Sequence, residues 1–250
     1  MIELKGKGAL IVGAKRIGQE VALRLSQEGV NIAIAYRTSR AEAQALCSKV
    51  LAHTERACVV QGDVAVEEDV KRMVHQASQN LGSLSFLVNL ASQFSYTPFN
   101  ALDGPAWDHA VAEAKGSYLL TLHASRAMMK NPGPTRGHII LFGDSAAGEH
   151  PYKNYLPYLT AKAAIEFMTR SFAVELARYN ILVNAISPGP TMRPSDIEQG
   201  TWERRVIAKT PLKRESSTKD IAEMVVTLLK AETITGECVR VDSGIHLVAG

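Results

Sequence analysis

The sequence has little cysteine, and none of it is patterned. Cys47, Cys58 and Cys238 are odd in number, scattered and without metal-ligand spacing. That excludes a disulfide framework or a cysteine metal site and fits a reduced, cytoplasmic compartment. Long apolar runs are missing too: none approaches the ~20 residues of a membrane span, and no N-terminal stretch reads as a signal peptide. Charge of one sign is not concentrated either. With a formal net charge of +3 and no run of arginine or lysine, nothing argues for nucleic acid as a partner. His109, His123 and His150 have no metal-like partners, so no metal is expected, and they read as surface or packed histidines. Met128 and Met129 read as core. Without repeats, low-complexity tracts or linkers, the 250 residues are expected to form one α/β domain with a large core.

What the chain does have is an alternation of short apolar runs and helical periods. Residues 9–12, 31–36, 57–61, 85–89, 138–142, 181–186 and 238–241 read as strands. Helices are expected between them: one after the turn 13–18, then 39–51, 66–81 closed by Gly82, 107–129 interrupted by Gly116, 158–178, and 219–230 with Thr218 as N-cap. This order predicts a doubly wound parallel sheet of Rossmann type with helices on both faces. In such sheets ligands bind beyond the carboxyl ends of the strands. Gly13, Arg37, Asp63, Asn89, Asp144 and Pro188 each follow a strand end and are expected to line one crevice. Residues 191–216, with Pro194, Gly200 and Pro211, lack a sustained period and form a candidate substrate lid.

Three stretches carry chemistry. Strand, glycine turn and helix in succession place Gly13, Ala14, Lys15, Arg16, Ile17 and Gly18 at a helix N-terminus, where free N–H groups and the helix dipole favour a phosphate. A purely structural turn would need no cations; Lys15 and Arg16 tip the reading toward an anionic ligand. The second strand ends in Arg37, Thr38 and Ser39, with no acid before Glu42. An acid there would hydrogen-bond a ribose and repel a 2′-phosphate, whereas an arginine with two hydroxyl donors offers a charge-assisted phosphate site, so NADPH is expected over NADH. Tyr158 and Lys162 stand at i and i+4 on one helix face. A phenol with a pKa near ~10 is a poor neutral-pH catalyst, and an ammonium one turn away is expected to bring that value down. Y-x-x-x-K recurs by chance, so its weight comes from the motifs around it.

Taken together, the glycine turn, Asp63-Val64, Asn89-Leu-Ala91, Tyr158-x-x-x-Lys162 and Pro188-Gly189 make the chain resemble the short-chain dehydrogenase/reductase family over essentially its whole length. Within that family the turn is similar to the pteridine reductase form, with arginine at the middle glycine. Asn89-Leu-Ala-Ser92-Gln-Phe94 is similar to the same subgroup, whose phenylalanine stacks a pterin and whose catalytic serine is replaced by aspartate. The resemblance implies an NADP(H)-dependent oxidoreductase reducing a carbonyl or pterin-like imine, with 3-oxoacyl thioester reduction or non-catalytic dinucleotide binding as alternatives.

By the same resemblance Tyr158 delivers the proton, and Lys162 lowers its pKa and holds the nicotinamide ribose. Asp63 and Val64 border the adenine, Asn89 and Ala91 the adenosine-side backbone path, and Pro188, Gly189 and Thr191 the carboxamide. Arg16 and Arg37 bind phosphates, with Lys15, Ile17, Thr38 and Ser39 beside them. Ser92 and Phe94 are substrate-side residues, although Phe94 packing under the lid is an equal reading. The second catalytic residue is open between two positions. Family spacing back from Tyr158 reaches Ser145, whereas the strand end gives Asp144, which is preferred because a loop absorbs an extra residue more easily than a buried strand. Two features depart from the family pattern: the turn is one residue short, and the helix asparagine expected after Trp107-Asp108 is replaced at Ala114. A homo-oligomer, a tetramer by family resemblance, is expected.

Overall fold

A computed structural model describes residues 1–148, 150–193 and 197–248. Pro194, part of the expected lid, lies outside the described residues. Seven strands, β1 (Gly8–Val12), β2 (Asn31–Tyr36), β3 (Ala57–Gln61), β4 (Phe86–Asn89), β5 (Gly137–Phe142), β6 (Ile181–Pro188) and β7 (Cys238–Val241), form one parallel sheet in the order β3-β2-β1-β4-β5-β6-β7. The order reverses between β1 and β4, and that switch point opens a crevice above the carboxyl ends.

Each strand is apolar on both sides because both faces are covered. Ala9 and Ile11 of β1, with Ile32 and Ile34 of β2, pack on α1 (Ile17–Gln27), α2 (Arg40–Leu51) and α7 (Thr218–Lys230). Leu10, Val12, Ala33 and Ala35 point the other way, toward α3 (Glu67–Leu81), α4 (Gly104–Met128) and α5 (Leu156–Ala177). The two-residue period of the strand thus divides one sequence run between two cores.

Several helix limits differ from the sequence reading, each for a local reason. α4 begins three residues before Trp107, because the Asp103 carboxylate caps the Ala106 N–H at 2.8 Å and proline sits in the first turn. Gly116 does not interrupt it. A side chain there would lie 2.7 Å from Val64 Cγ2, so the glycine lets α4 approach the β3–α3 connection. α7 is capped by Ser217, not Thr218: the serine oxygen accepts from the N–H groups of Lys219 and Asp220, both at 3.2 Å. The expected irregular segment holds a short helix, α6 (Gln199–Arg205), and a 3-10 turn (Ile207–Lys209). Trp202 anchors it, buried, with its indole N–H donating to Glu215 at 2.5 Å. No helix among the described residues is long and apolar enough to cross a membrane.

Candidate active site

One large crevice, about 1120 Å³ in volume, runs along the carboxyl edge of the sheet. That exceeds the ~300–1,000 Å³ typical of small-ligand sites, so it has room for a dinucleotide and a substrate together. At one end it is floored by the turn after β1. Gly13 has φ 83°, and a side chain on it would lie 2.6 Å from the Ala91 N and Leu90 C atoms, so the turn presses directly on the segment after β4. Lys15, Arg16, Ile17 and Gly18 line the crevice above it. Arg16, the N-cap of α1, has φ 54°, and no side chain caps this helix end. The Gly18 N–H closes the turn on Lys15 O at 2.9 Å, and the helix end, with its dipole and without a side-chain cap, lies on the crevice, as an anion site requires.

Arg37, Thr38 and Ser39 form the side wall. The charges here are paired with one another: Lys15 Nζ is 2.6 Å from Glu42 Oε2, and Arg37 Nη1 is 3.6 Å from Asp63 Oδ2. Asp63 and Val64 line the same wall, as do Ala91 and Ser92 beyond it. Asn89 does not. Contrary to the strand-end expectation, its side chain turns inward, donating to Ser117 Oγ on α4 at 2.9 Å and accepting from the Ala91 N–H at 3.2 Å. The strand's alternation aims it at α4, and it supports the crevice wall from behind.

At the other end the β5 exit and the start of α5 meet. Tyr158 donates its hydroxyl hydrogen to Asp144 Oδ2 at 2.8 Å, and Tyr152 donates to the same oxygen at 3.1 Å. The Ala146 N–H holds the other carboxylate oxygen at 2.9 Å. Asp144, not Ser145, is therefore the residue against the tyrosine. Ser145 is buried on the same wall, its N–H donating to Pro188 O at 3.1 Å. Pro188, Gly189 and Thr191 close this end, the threonine hydroxyl donating to Gly189 O at 2.9 Å.

Lys162 lies one turn along α5, its Nζ 5.7 Å from the centre of the Tyr158 ring. It donates to Phe142 O at 3.0 Å and stands 2.5 Å from Glu113 Oε1. The tyrosine's pKa does not move as expected. Burial above all, and then the Asp144 charge, push the Tyr158 phenol well above its ordinary value, and burial and Asp144 raise Tyr152 as well. Both effects favour the protonated form of the phenol.

The substrate side is aromatic. Phe94 stacks on Tyr155 at 4.4 Å between ring centres and meets Tyr158 edge-on at 5.1 Å. Half of its surface remains exposed in the crevice, so it neither packs fully under the lid nor is free of partners. Met192, Ile197, Trp202 and Val206 from the lid segment form the opposite wall.

Sequence reasoning missed Glu113, Tyr152, Tyr155 and His246. The first pairs with Lys162 across two helices, and the last lies on the crevice wall 2.6 Å from Asp242. His150, read as a surface or packed histidine, also lines the crevice. The cluster of aromatics at 152–158 was a visible signal; Glu113 carried none. Among the described residues no group of three or more His, Cys, Asp or Glu could hold a metal.

Comparison with known proteins agrees with this geometry. A family profile described as enoyl-(acyl carrier protein) reductase matches residues 12–246. The 3-oxoacyl-[acyl-carrier-protein] reductase FabG of Staphylococcus aureus is 30% identical over 246 residues, covering 96% of this chain and 98% of that protein. Among solved structures, FolM alternative dihydrofolate reductase 1 from Brucella canis, complexed with NADP, superposes with a TM-score of 0.86 at 31% identity, covering 98% of this chain and 96% of that one. A short-chain dehydrogenase from Burkholderia cenocepacia, also in complex with NADP, gives 0.87 at 27% identity, with 98% and 99% coverage. The profile match over nearly the whole chain and the 30% identity to the Staphylococcus aureus reductase, on a sheet of this order, show that the chain is an oxidoreductase belonging to the short-chain dehydrogenase/reductase family.

Proposed function

We propose that the protein reduces a carbonyl or a pterin-like imine with NADPH, Tyr158 delivering the proton. The observation that carries this reading is the Tyr158 hydroxyl bonded to Asp144 at 2.8 Å on the wall of a crevice shared with Phe94. The residues fit the nucleotide. The uncapped start of α1 with Arg16 suits a pyrophosphate; Arg37, Thr38 and Ser39 suit a 2′-phosphate. Asp63 and Val64 would border the adenine, and Ala91 the path between. Pro188, Gly189 and Thr191 would border the carboxamide, and Lys162 would hold the ribose hydroxyls. NADPH, when bound, supplies the hydride.

The chain's own groups do the rest. Burial and Asp144 keep the phenol protonated until a substrate oxygen or nitrogen gains electron density and takes the hydrogen. Asp144 holds the phenol in place by accepting that O–H at 2.8 Å; the hydrogen turns to the substrate atom as it is transferred, and the nearby ammonium of Lys162 stabilises the phenolate left behind. Ser145 helps shape the wall. Phe94, half exposed and close to Tyr158, offers a flat face for a heteroaromatic ring, with Ser92 beside it.

The Brucella canis relative, named a dihydrofolate reductase, supports the pterin branch. The Staphylococcus aureus relative, named a 3-oxoacyl reductase, supports a second branch in which the substrate is a 3-oxoacyl thioester. Consumption of NADPH with a dihydropterin, with dihydrofolate and with a 3-oxoacyl thioester separates them. NADPH binding by fluorescence, with no consumption on either class, overturns both in favour of a dinucleotide-binding protein without turnover.

The reading includes a homotetramer in a reduced, cytoplasmic compartment. Its support is the apolar surface left on two long helices: Phe167 and Val174 on α5 are 64% and 78% exposed, and Tyr118 on α4 is 46% exposed. A closed symmetric assembly would cover such a face. A monomeric mass by light scattering at micromolar concentration would overturn it. Three scattered cysteines without a pairing pattern are what supports the reduced compartment in this reading.

A further inference from the structure

Glu113 is a carboxylate in an unusual place. It lies on α4, inside the protein, and is not part of the crevice wall. Acids are seldom buried without a partner. Here one oxygen, Oε1, stands 2.5 Å from Lys162 Nζ on α5, both side chains being almost inaccessible. The other, Oε2, accepts the Gln93 N–H at 3.0 Å, one residue before Phe94. A single carboxylate thus joins the lysine behind the proton donor to the loop that presents the aromatic substrate face.

We infer that Glu113 is a positioning residue for the reduction: it holds Lys162 as an ammonium aimed at the Tyr158 end of the crevice and ties that setting to the Phe94 loop. The inference rests on the reading of Tyr158 and Lys162 as the proton-delivering pair. It concerns a residue that touches neither nucleotide nor substrate and acts only through Lys162 and Gln93.

The physical case is asymmetric. Lys162 reaches a backbone carbonyl, Phe142 O at 3.0 Å, but a carbonyl is only a dipole. Without a counter-charge, a buried ammonium gives up its proton more readily. The titratable groups around it are Glu113 on α4, Tyr158 and Tyr155 at the start of α5, Glu166 one turn further along α5, where it accepts the Ser187 hydroxyl at 2.5 Å, and Asp144 with Tyr152 from the β5–α5 connection. Of these Glu113 alone is an acid directly against Nζ; Asp144 is occupied by the two phenols. Replacing Glu113 by glutamine keeps the volume and the acceptor for Gln93 but removes the charge. Stripped of its counter-charge, the ammonium is held by Phe142 O alone, and its hold on the phenolate and on the ribose hydroxyls weakens.

The test compares Glu113→Gln and Glu113→Asp with the unmodified protein, using NADPH alone and then NADPH with whichever of dihydropterin or 3-oxoacyl thioester is consumed. NADPH affinity, read by fluorescence across pH, needs no substrate. In Glu113→Gln the alkaline loss of NADPH affinity and of kcat should both move down by about one to three pH units, the effect of a close opposite charge. At a fixed mildly alkaline pH kcat should fall tenfold or more, bounded by the ~10²–10⁴ of losing the proton donor itself. Glu113→Asp keeps the charge, so its alkaline limb should stay where the parent's is, whatever its kcat.

Equal losses in both variants with unmoved limbs would mean a merely structural role and overturn the inference. So would an unchanged Glu113→Gln. If the glutamine variant does not fold, the aspartate variant decides: folded protein with a shifted limb is the overturning result, and failure of both to fold assigns Glu113 to the fold alone and overturns it too. The parent reading fails separately, through Tyr158→Phe retaining turnover.

Discussion

At the Arg37 end of the crevice, Lys15 and Glu42 pair at 2.6 Å with side chains 62% and 64% exposed, and Arg37 stands 3.6 Å from Asp63. At the Tyr158 end, Lys162 and Glu113 pair at 2.5 Å with side chains 3% and 6% exposed. The chemistry of the partners is the same and the environment is opposite. Exposed pairs are screened and contribute little, so a phosphate entering that end has only to displace water and a weakly held acid. A buried pair cannot be broken from one side without leaving an uncompensated charge. The first arrangement suits a site that must change partners on each binding cycle; the second suits one that must stay fixed through it. Tyr152, Tyr158 and Ala146, converging on Asp144, extend the fixed end by three hydrogen bonds.

The comparison breaks first, and by the widest margin, at Tyr158. Tyr158→Phe removes one hydroxyl, while Asp144 keeps its bonds from Tyr152 at 3.1 Å and from the Ala146 N–H at 2.9 Å. Fold and NADPH affinity should therefore be retained, while kcat falls by about 10²–10⁴. A variant keeping more than about a tenth of the turnover would be outside that range, and Asp144 would become the candidate donor.

A second test asks how strictly the interior excludes charge. His138 of β5 is fully buried, with Nε2 3.0 Å from Asn184 Nδ2, and burial lowers its pKa from 6.5 to about 4. Between those values the unfolded chain binds a proton that the folded chain refuses. This contribution to stability is complete above about pH 6.5 and is lost as the pH falls toward 4. At ~1.4 kcal/mol per unit the loss approaches about 3 kcal/mol. Urea unfolding of the parent and of His138→Leu at pH 7, 5 and 4 measures it: the acid-side slope should be shallower in the variant. Identical slopes would mean that other groups carry the acid sensitivity.

At the exposed end, Arg37→Ala should weaken NADPH by about tenfold to a hundredfold, the loss of one charge-assisted contact, and NADH much less. Kd values for both nucleotides, by fluorescence titration, check it. Equal affinity of the unmodified protein for the two nucleotides would remove the basis for a 2′-phosphate site at Arg37, Thr38 and Ser39.

The same contrast explains what could be read from the sequence. The strands were legible because a parallel sheet covered on both faces leaves continuous apolar runs, and the crevice followed from their carboxyl ends. The lid helix α6 was not, because seven residues with one buried side chain, Trp202, carry no period. Ser217 and Thr218 are adjacent hydroxyl residues, and only the backbone trace decides which one caps α7. For Tyr158 the i, i+4 rule supplied the lysine's influence but not burial or the Asp144 contact, and those two reverse the direction. Asn89 was placed correctly at a strand end, but its side-chain direction depends on Ser117, 28 residues away. Glu113 meets Lys162 from another helix, and no spacing rule within one element reaches that far. At the Arg37 end, by contrast, Lys15 stands beside Arg16, and Arg37 beside Thr38 and Ser39, so those short clusters were visible, although the pairs Lys15–Glu42 and Arg37–Asp63 were not.

The smallest expected effect is the one most specific to the exposed end. Glu42 holds Lys15 at 2.6 Å, and that contact, with a hydrogen bond from Ser39, lowers the Glu42 pKa. Both donors, Lys15 and Ser39, belong to the set expected to meet the nucleotide phosphates. The acid therefore competes for cations and hydroxyls that a 2′-phosphate would use. Glu42→Gln removes the competitor and a repulsive charge together while leaving Arg37 and the α1 terminus unchanged. NADPH should bind tighter by about twofold to fivefold, the scale of an exposed pair, and the gain should shrink as salt is raised because the contributing charges are screened. NADH, lacking the 2′-phosphate, should change less. Titrations of both nucleotides at low and high ionic strength read all three features at once. Weaker NADPH binding in Glu42→Gln would mean instead that the Lys15–Glu42 pair shapes the turn for the nucleotide, and the exposed end would then be as fixed as the buried one.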